Sequence, residues 1–135
     1  MSFKPHQRLS YAQELSQSEN SSELHFRCVI HQTYYAALNQ LQYEIDNRLF
    51  FKVDGDDRVT KSHKALIDAC DNQMRNLANG DSRKVLLSTI ANNMRRAKRM
   101  RETADYHIES NVDHVTVQTT LKFVQDIFDC LEKYE

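Results

Sequence analysis

The chain has 135 residues, with 18 Lys and Arg against 19 Asp and Glu, a net charge of −1, two glycines and one proline. That length supports one domain around a single core, and so little glycine and proline excludes a sheet, whose turns need more of both. Residues 1–101 carry 16 Lys/Arg against 11 Asp/Glu (+5), whereas residues 102–135 carry 2 against 8 (−6). Such a split suits a basic working face or two halves that attract each other, and the charged outer faces of helices explain most of it without a ligand.

Cys28, Cys70 and Cys130 are odd in number, far apart, and at apolar helical positions. They are expected to be reduced core residues, with no disulfide framework and no zinc site. The opening MSFKPHQRLSYAQ lacks the apolar run of a signal peptide, and no stretch is apolar for long enough to span a membrane. The expectation is a soluble cytoplasmic protein without a membrane partner.

Met1 to His6 is expected to fray. Leu9, Ala12 and Leu15 mark a short amphipathic helix from about Gln7 to Ser16, and SQSENSS is a polar turn in which Asn20 and Glu23 resemble a capping box. A second helix, from about Ser21 to Arg48, is apolar on two faces. Leu24, Cys28, His31, Tyr35, Leu38 and Ile45 form one stripe; Phe26, Ile30, Tyr34, Ala37 and Leu41 form the other. A helix buried on both sides belongs at the centre of a bundle. Phe50 to Arg58 reads as a solvated loop with an Asp-Gly turn, since its aspartates lack calcium-loop spacing.

Thr60 can cap a third helix with His63, Leu66, Ile67, Cys70, Met74 and Leu77 inward, stopped at Gly80. Asp81 or Ser82 caps the next helix, which contains Leu86 to Ile108 and ends near Ile108 to Ser110. After a turn around Asn111 to Val115, a last helix carries Val117, Leu121, Val124, Phe128 and Leu131 inward, with Phe123, Ile127 and Cys130 as a second flank. The sum is one all-α domain over residues 1–135, an antiparallel up-and-down bundle of four long helices plus one short one.

The helix around Leu86 to Ile108 carries the unusual charge. At 100° per residue, Leu87, Ile90, Met94, Ala97, Ala104 and Ile108 fall within about 60° of Arg101. A guanidinium on that stripe must be paired, for which Asp105 one turn later is the candidate, or must line a polar cavity or an interface. Arg95, Arg96 and Arg99 point away, as a solvated face or, with Lys98, as an electrostatic guide for an RNA or nucleotide backbone. His107 lies about 120° around the helix from Arg101 and about 9 Å further along. Alone it reads as a partner for the helix C-terminus. With Arg101 it supplies what phosphodiester cleavage needs, a fixed cation for the phosphorane charge and a group titrating near neutrality. The two side chains diverge on one straight helix, so a bent helix end or a second copy is needed to bring such a pair together. Competing chemistries lack their marks: no Glu has His three residues later for a di-metal bundle, and neither a nucleophile elbow nor a glycine-rich phosphate loop occurs. No metal and no cofactor is expected.

Arg101-Glu102-Thr103-Ala104-Asp105-Tyr106-His107 resembles the R-x(4–6)-H signature of the HEPN superfamily (higher eukaryotes and prokaryotes nucleotide-binding), with a spacing of five. Arg27 to Ala37, RCVIHQTYYAA, is similar to the R-x-A-x-S-R-x-Y-Y-A segment on the second helix of small stand-alone members. The resemblance covers roughly Leu9 to Leu131. It implies a helical bundle that dimerises with its Arg/His motifs facing, and a metal-independent RNA endonuclease leaving 2′,3′-cyclic phosphate ends. Arg101 would steady the phosphate and His107 would move the proton, with Glu102, Asp105 and Tyr106 in support and Arg95, Lys98 and Arg99 guiding RNA. Many such proteins are toxins paired with a nucleotidyltransferase antitoxin, or act against phage. Others are non-catalytic modules that bind nucleotide, RNA or protein, and a structural adaptor outside the family is the remaining expectation. Two departures stand: Glu109 replaces the tyrosine that one toxin subgroup carries two residues after the histidine, and His31-Gln32 replaces the usual Ser-Arg.

Overall fold

A computed structural model of the chain describes residues 5–16, 22–53, 62–107 and 109–135. These form α1 (Pro5–Ser16), α2 (Glu23–Glu44), α3 (His63–Asn76), α4 (Arg83–Tyr106) and α5 (His114–Lys133), with no strand among them. Each start has a local cause. Proline suits the first position of α1, where its missing N–H would have no partner. Ser22, Ser62 and Asp113 cap α2, α3 and α5 by accepting from the amides of His25, Ala65 and Thr116. Asp81 does the equivalent for α4, accepting from the Arg83 amide at 2.9 Å.

The central helix is α2, which packs against α1, α4 and α5. Its last turn winds into a π-turn, Ile45–Leu49, closed where Phe50 adopts a left-handed φ of 55° and donates to the Ile45 carbonyl at 2.8 Å. Tyr34, Ile30, Leu41, Leu66, Leu87, Ile90, Met94 and Ile127 are fully or almost fully buried and bind four helices into the core. Burying one such aliphatic side chain contributes about 1.5–3 kcal/mol. Burial also pushes the Cys70 thiol up to about 12, which leaves it an inert core group.

Side-chain bridges give the helix directions. Arg27 meets Thr103 and Ala104 while Tyr34 meets Arg101, so α2 and α4 run oppositely. Arg95 pairs with Asp71, and His63 feels the Arg101 charge, so α3 opposes α4 as well. It follows that α2 and α3 run the same way. The bundle is all-α, but the expected strict alternation breaks once, between α2 and α3. Its physical reason is that α3 packs on α4 and scarcely meets α2. Two helices with no shared seam have nothing to fix them antiparallel.

Further expectations shift in detail. His6 is not frayed but lies inside α1, with its ring edge-on to Phe128 at 5.0 Å. The third helix ends at Asn76 rather than Gly80, which instead takes a φ of 86° in the following turn. Ser62 caps α3; Thr60, the Asn20 capping box and most of the Phe50–Arg58 loop lie outside the described residues. The two-sided burial of α2 holds in its middle and fails at its start. There Leu24 is 73 % exposed and Cys28 is exposed, contrary to the expected inward stripe and the expected core cysteine, because no helix among the described residues covers that face. No helix among the described residues is long and apolar enough to cross a membrane.

Candidate active site

Arg101 occupies the position its angular placement indicates. Leu87, Ile90, Met94, Ala97 and Ala104 are buried along the same stripe, Ile108 lies outside the described residues, and Arg101 itself is only 6 % exposed. Its guanidinium lies over three aromatic faces, with ring centroids at 5.4 Å for Tyr34, 5.6 Å for Tyr35 and 5.5 Å for Tyr106. A ring quadrupole attracts such a cation by about 0.5–2 kcal/mol, more as water is excluded. Nη1 donates to the Tyr106 hydroxyl at 3.3 Å and lies 3.6 Å from Asp105 Oδ2. Nε is buried without a hydrogen-bond partner among the described residues. Tyrosine faces and one carboxylate therefore replace the water that this charge gave up.

Two histidines extend the cage. His31 Nδ1 donates to Asp105 Oδ2 at 2.9 Å, and its ring packs on Tyr35 at 4.7 Å between centroids. His63, in the first turn of α3, shares a hydrogen bond of 3.0 Å with the buried Tyr34 hydroxyl. Burial, then the Arg101 and Lys98 cations, push the His63 imidazole below its ordinary value, against a smaller opposing pull from Glu102. Burial likewise raises the Tyr34 hydroxyl, against the pull of Arg101. A histidine whose folded value is depressed contributes stability in full above its unfolded value of about 6.5, and that contribution is lost as pH falls through the folded value. His63→Gln is therefore expected to have a smaller drop in melting temperature between pH 7.5 and 5.5 than the unaltered chain, measured by circular dichroism. An equal drop in both would show that this imidazole carries none of the acid sensitivity.

Arg27 defines the end of α4. It donates to the carbonyls of Thr103, Ala104, His107 and Ser110 at 3.1, 2.9, 3.2 and 2.6 Å, and to Glu23 Oε1 at 2.8 Å. A cation among the last free carbonyls of a helix satisfies acceptors that have no partner within it. Glu23 also accepts from the Val112 amide at 3.2 Å, which ties the turn before α5 to the start of α2. The helix accordingly stops at Tyr106, with His107 as its C-cap, rather than continuing to Ile108 or Ser110.

His107 is exposed, and its ring makes no hydrogen bond, ion pair or ring contact among the described residues, so the structure does not join it to Arg101 within one chain. Tyr106, also exposed, reaches back to Arg101, and Asp105 bridges Arg101 and His31. Glu102 is half-buried, and its charge opposes the Arg101 and Lys98 cations at His63. In the basic run, Arg95 is held by Asp71 and Asp68, and Arg96 lies over the Phe123 ring at 5.6 Å. Lys98 is half-buried and Arg99 is exposed. Sequence reasoning did not mark His31, His63 or Arg27 as site residues. Only the Arg27–Ala37 segment pointed toward Arg27 and His31, and only its own place on the inner face of α3 pointed toward His63.

Beside the cage, an open groove of ≈ 440 Å³ runs between α2 and α4, lined by Leu24, Arg27, Cys28, His31, Gln32, Ala104 and Asp105. No group of three or more His, Cys, Asp or Glu side chains among the described residues is placed to hold a metal ion. Chemically, the site offers a caged guanidinium, a carboxylate-bound imidazole facing a groove, and an exposed imidazole at the end of the same helix. Protein-family models, curated proteins and solved structures contain no match to the chain.

Proposed function

We propose that this chain is a metal-independent RNA endonuclease of the HEPN kind, acting in the cytoplasm as a homodimer and serving as the toxin or effector of a toxin–antitoxin or antiphage system. The observation that carries the reading is the caged Arg101: a planar cation, stripped of water and held by three tyrosines, on a helix that ends at an exposed imidazole. Such a cation is set up to meet the charge that grows on a phosphorane, and the imidazole to move its proton. A dimer is supported by exposed apolar side chains at this end of the bundle, where Leu24, Tyr106 and Val115 are 73, 69 and 69 % exposed. Its protein partner in the cell would be a nucleotidyltransferase-type antitoxin.

One observation favours a second reading. Arg101 already has Asp105 and Tyr106, so a HEPN module that binds nucleotide, RNA or a protein partner without cleaving needs no rearrangement of the cage. The two readings separate in a cleavage assay on tRNA and unstructured RNA in EDTA. Cleavage leaving cyclic-phosphate ends, reduced by about 10²–10⁴-fold in His107→Ala, is the expected result. Retention of RNA with no cleavage would favour the binding module. Undiminished cleavage by the variant would remove His107 from the chemistry.

A further inference from the structure

His31, outside the Arg101–His107 motif, and Asp105, inside it, have the geometry of a proton-transfer unit. Asp105 Oδ2 accepts from His31 Nδ1 at 2.9 Å. That bond fixes the tautomer of the neutral ring: Nδ1 carries the hydrogen and Nε2 keeps its lone pair. The carboxylate would also stabilise the imidazolium once Nε2 takes a proton, which is the part a buried aspartate plays behind a catalytic histidine. The His31 side chain is 43 % exposed and lines the groove, while the Asp105 side chain is 21 % exposed behind it. The same Asp105 oxygen lies 3.6 Å from Arg101 Nη1. A base, its orienting carboxylate and a phosphate-class cation thus meet around one oxygen atom.

The backbone of His107 is tied to a residue of the same groove. Its carbonyl is bound by Arg27, a groove residue one helical turn, about 6 Å, before His31 on α2. The ring packed on His31 is Tyr35, and its ion-pair partner is Asp105; Arg27, Cys28 and Arg101 are the other titratable or charged groups at this place.

We propose that His31, oriented by Asp105, is the general base of this site and that His107 is its acid. The inference rests on the ribonuclease reading and assigns it a residue that the motif omits. Nε2 of His31 accepts the proton of a ribose 2′-hydroxyl as the 2′-oxygen bonds to phosphorus. The bond from phosphorus to the 5′-oxygen breaks with its electron pair on oxygen, which takes a proton from the His107 imidazolium. One proton is removed and one delivered, nothing is oxidised, and the products are a 2′,3′-cyclic phosphate and a 5′-hydroxyl.

The test is His31→Asn, whose amide nitrogen takes the place of Nδ1 toward Asp105 but which offers no basic nitrogen to the groove. It is compared with the unaltered chain for RNA cleavage in EDTA, for melting, and for binding of the same RNA carrying 2′-deoxyribose throughout, which cannot be cleaved by this route. The expected result is a loss of about 100-fold or more in cleavage rate with melting and binding unchanged. In addition, His31→Ala should regain activity when free imidazole is supplied, a response that a purely structural role would not give. Cleavage by His31→Asn within about threefold of the unaltered chain overturns the inference and leaves the ribonuclease reading intact. No cleavage by the unaltered chain on any RNA overturns the ribonuclease reading, and the role of His31 with it.

Discussion

Arg101→Met is expected to separate the stability of this bundle from its chemistry. Methionine follows the same path as the arginine stem, adapts to the gaps left around it, and removes the need to keep a charge out of water. Three cation–π contacts and a hydrogen bond to Tyr106 are lost, while Asp105 keeps His31 as its partner. These effects oppose one another, so unfolding free energy should change by no more than about 1.5 kcal/mol. Arg101→Ala, which leaves a cavity among Tyr34, Tyr35 and Tyr106, should cost about 2–5 kcal/mol. Cleavage should respond differently. Without a fixed cation for the developing phosphorane charge, both variants should lose about 10²–10³-fold or more in rate. Urea midpoints and single-turnover rates measure the two effects independently. Full activity in Arg101→Met would remove the guanidinium from the reaction, and unfolding of that variant would make the charge structural.

Arg27→Ala should be among the most destabilising changes outside the apolar core. Its guanidinium serves four carbonyls at the end of α4 and one carboxylate on its own helix, with the side chain only 15 % exposed. Water can reach some of these acceptors once the side chain is gone, so the loss is less than the sum of separate hydrogen bonds. About 2–4 kcal/mol is expected. Arg27→Lys should recover only part of it, because a compact ammonium cannot span acceptors that a planar fork reaches together. Hydrogen exchange should localise the effect: the amides of the last turn of α4 and of His107 should exchange faster, with those near Ile90 following only the global change. A uniform increase along α4 would mean that Arg27 holds the whole bundle rather than this end.

Hydrophobic periodicity made the helices and the burial of Arg101 legible, because one face of α4 repeats apolar residues at helical spacing and Arg101 sits among them. The same logic misjudged Leu24 and Cys28. Periodicity reports which residues share a face, not whether another helix arrives to cover it. It was silent about the shared direction of α2 and α3, which depends on α3 choosing α4 as its neighbour. The family-like segment begins at Arg27, but what Arg27 holds was not legible: its partners are backbone carbonyls, which every residue carries and no sequence pattern marks. His31 was read as one member of an apolar stripe, and its bond to Asp105 joins residues 74 positions apart. The motif marked Arg101, Asp105, Tyr106 and His107, while the other groups packed on Arg101, Tyr34 and Tyr35, came from α2.

Arginines in α2 and in the π-turn that follows it also decide how this bundle can move. At one end Arg27 holds the last carbonyls of α4; at the other Arg48 donates to Leu131 and Tyr134 at the close of α5, at 2.6 and 2.5 Å. Bundle helices can ratchet past one another by a turn when their seams are uniformly apolar, since each leucine-sized knob finds an equivalent hole. Here a shift of α2 by one turn would vacate both clamps at once and leave two helix ends bare. The central helix is thus keyed against slippage, and motion is left to the pieces it does not key. Chief among them is α3, which leans mainly on α4, whereas α1 is tied to α2 by Arg8 donating to Asn39 at 2.9 Å. Swinging α3 outward would carry His63 away from Tyr34 and uncover one side of the Arg101 cage without disturbing either clamp.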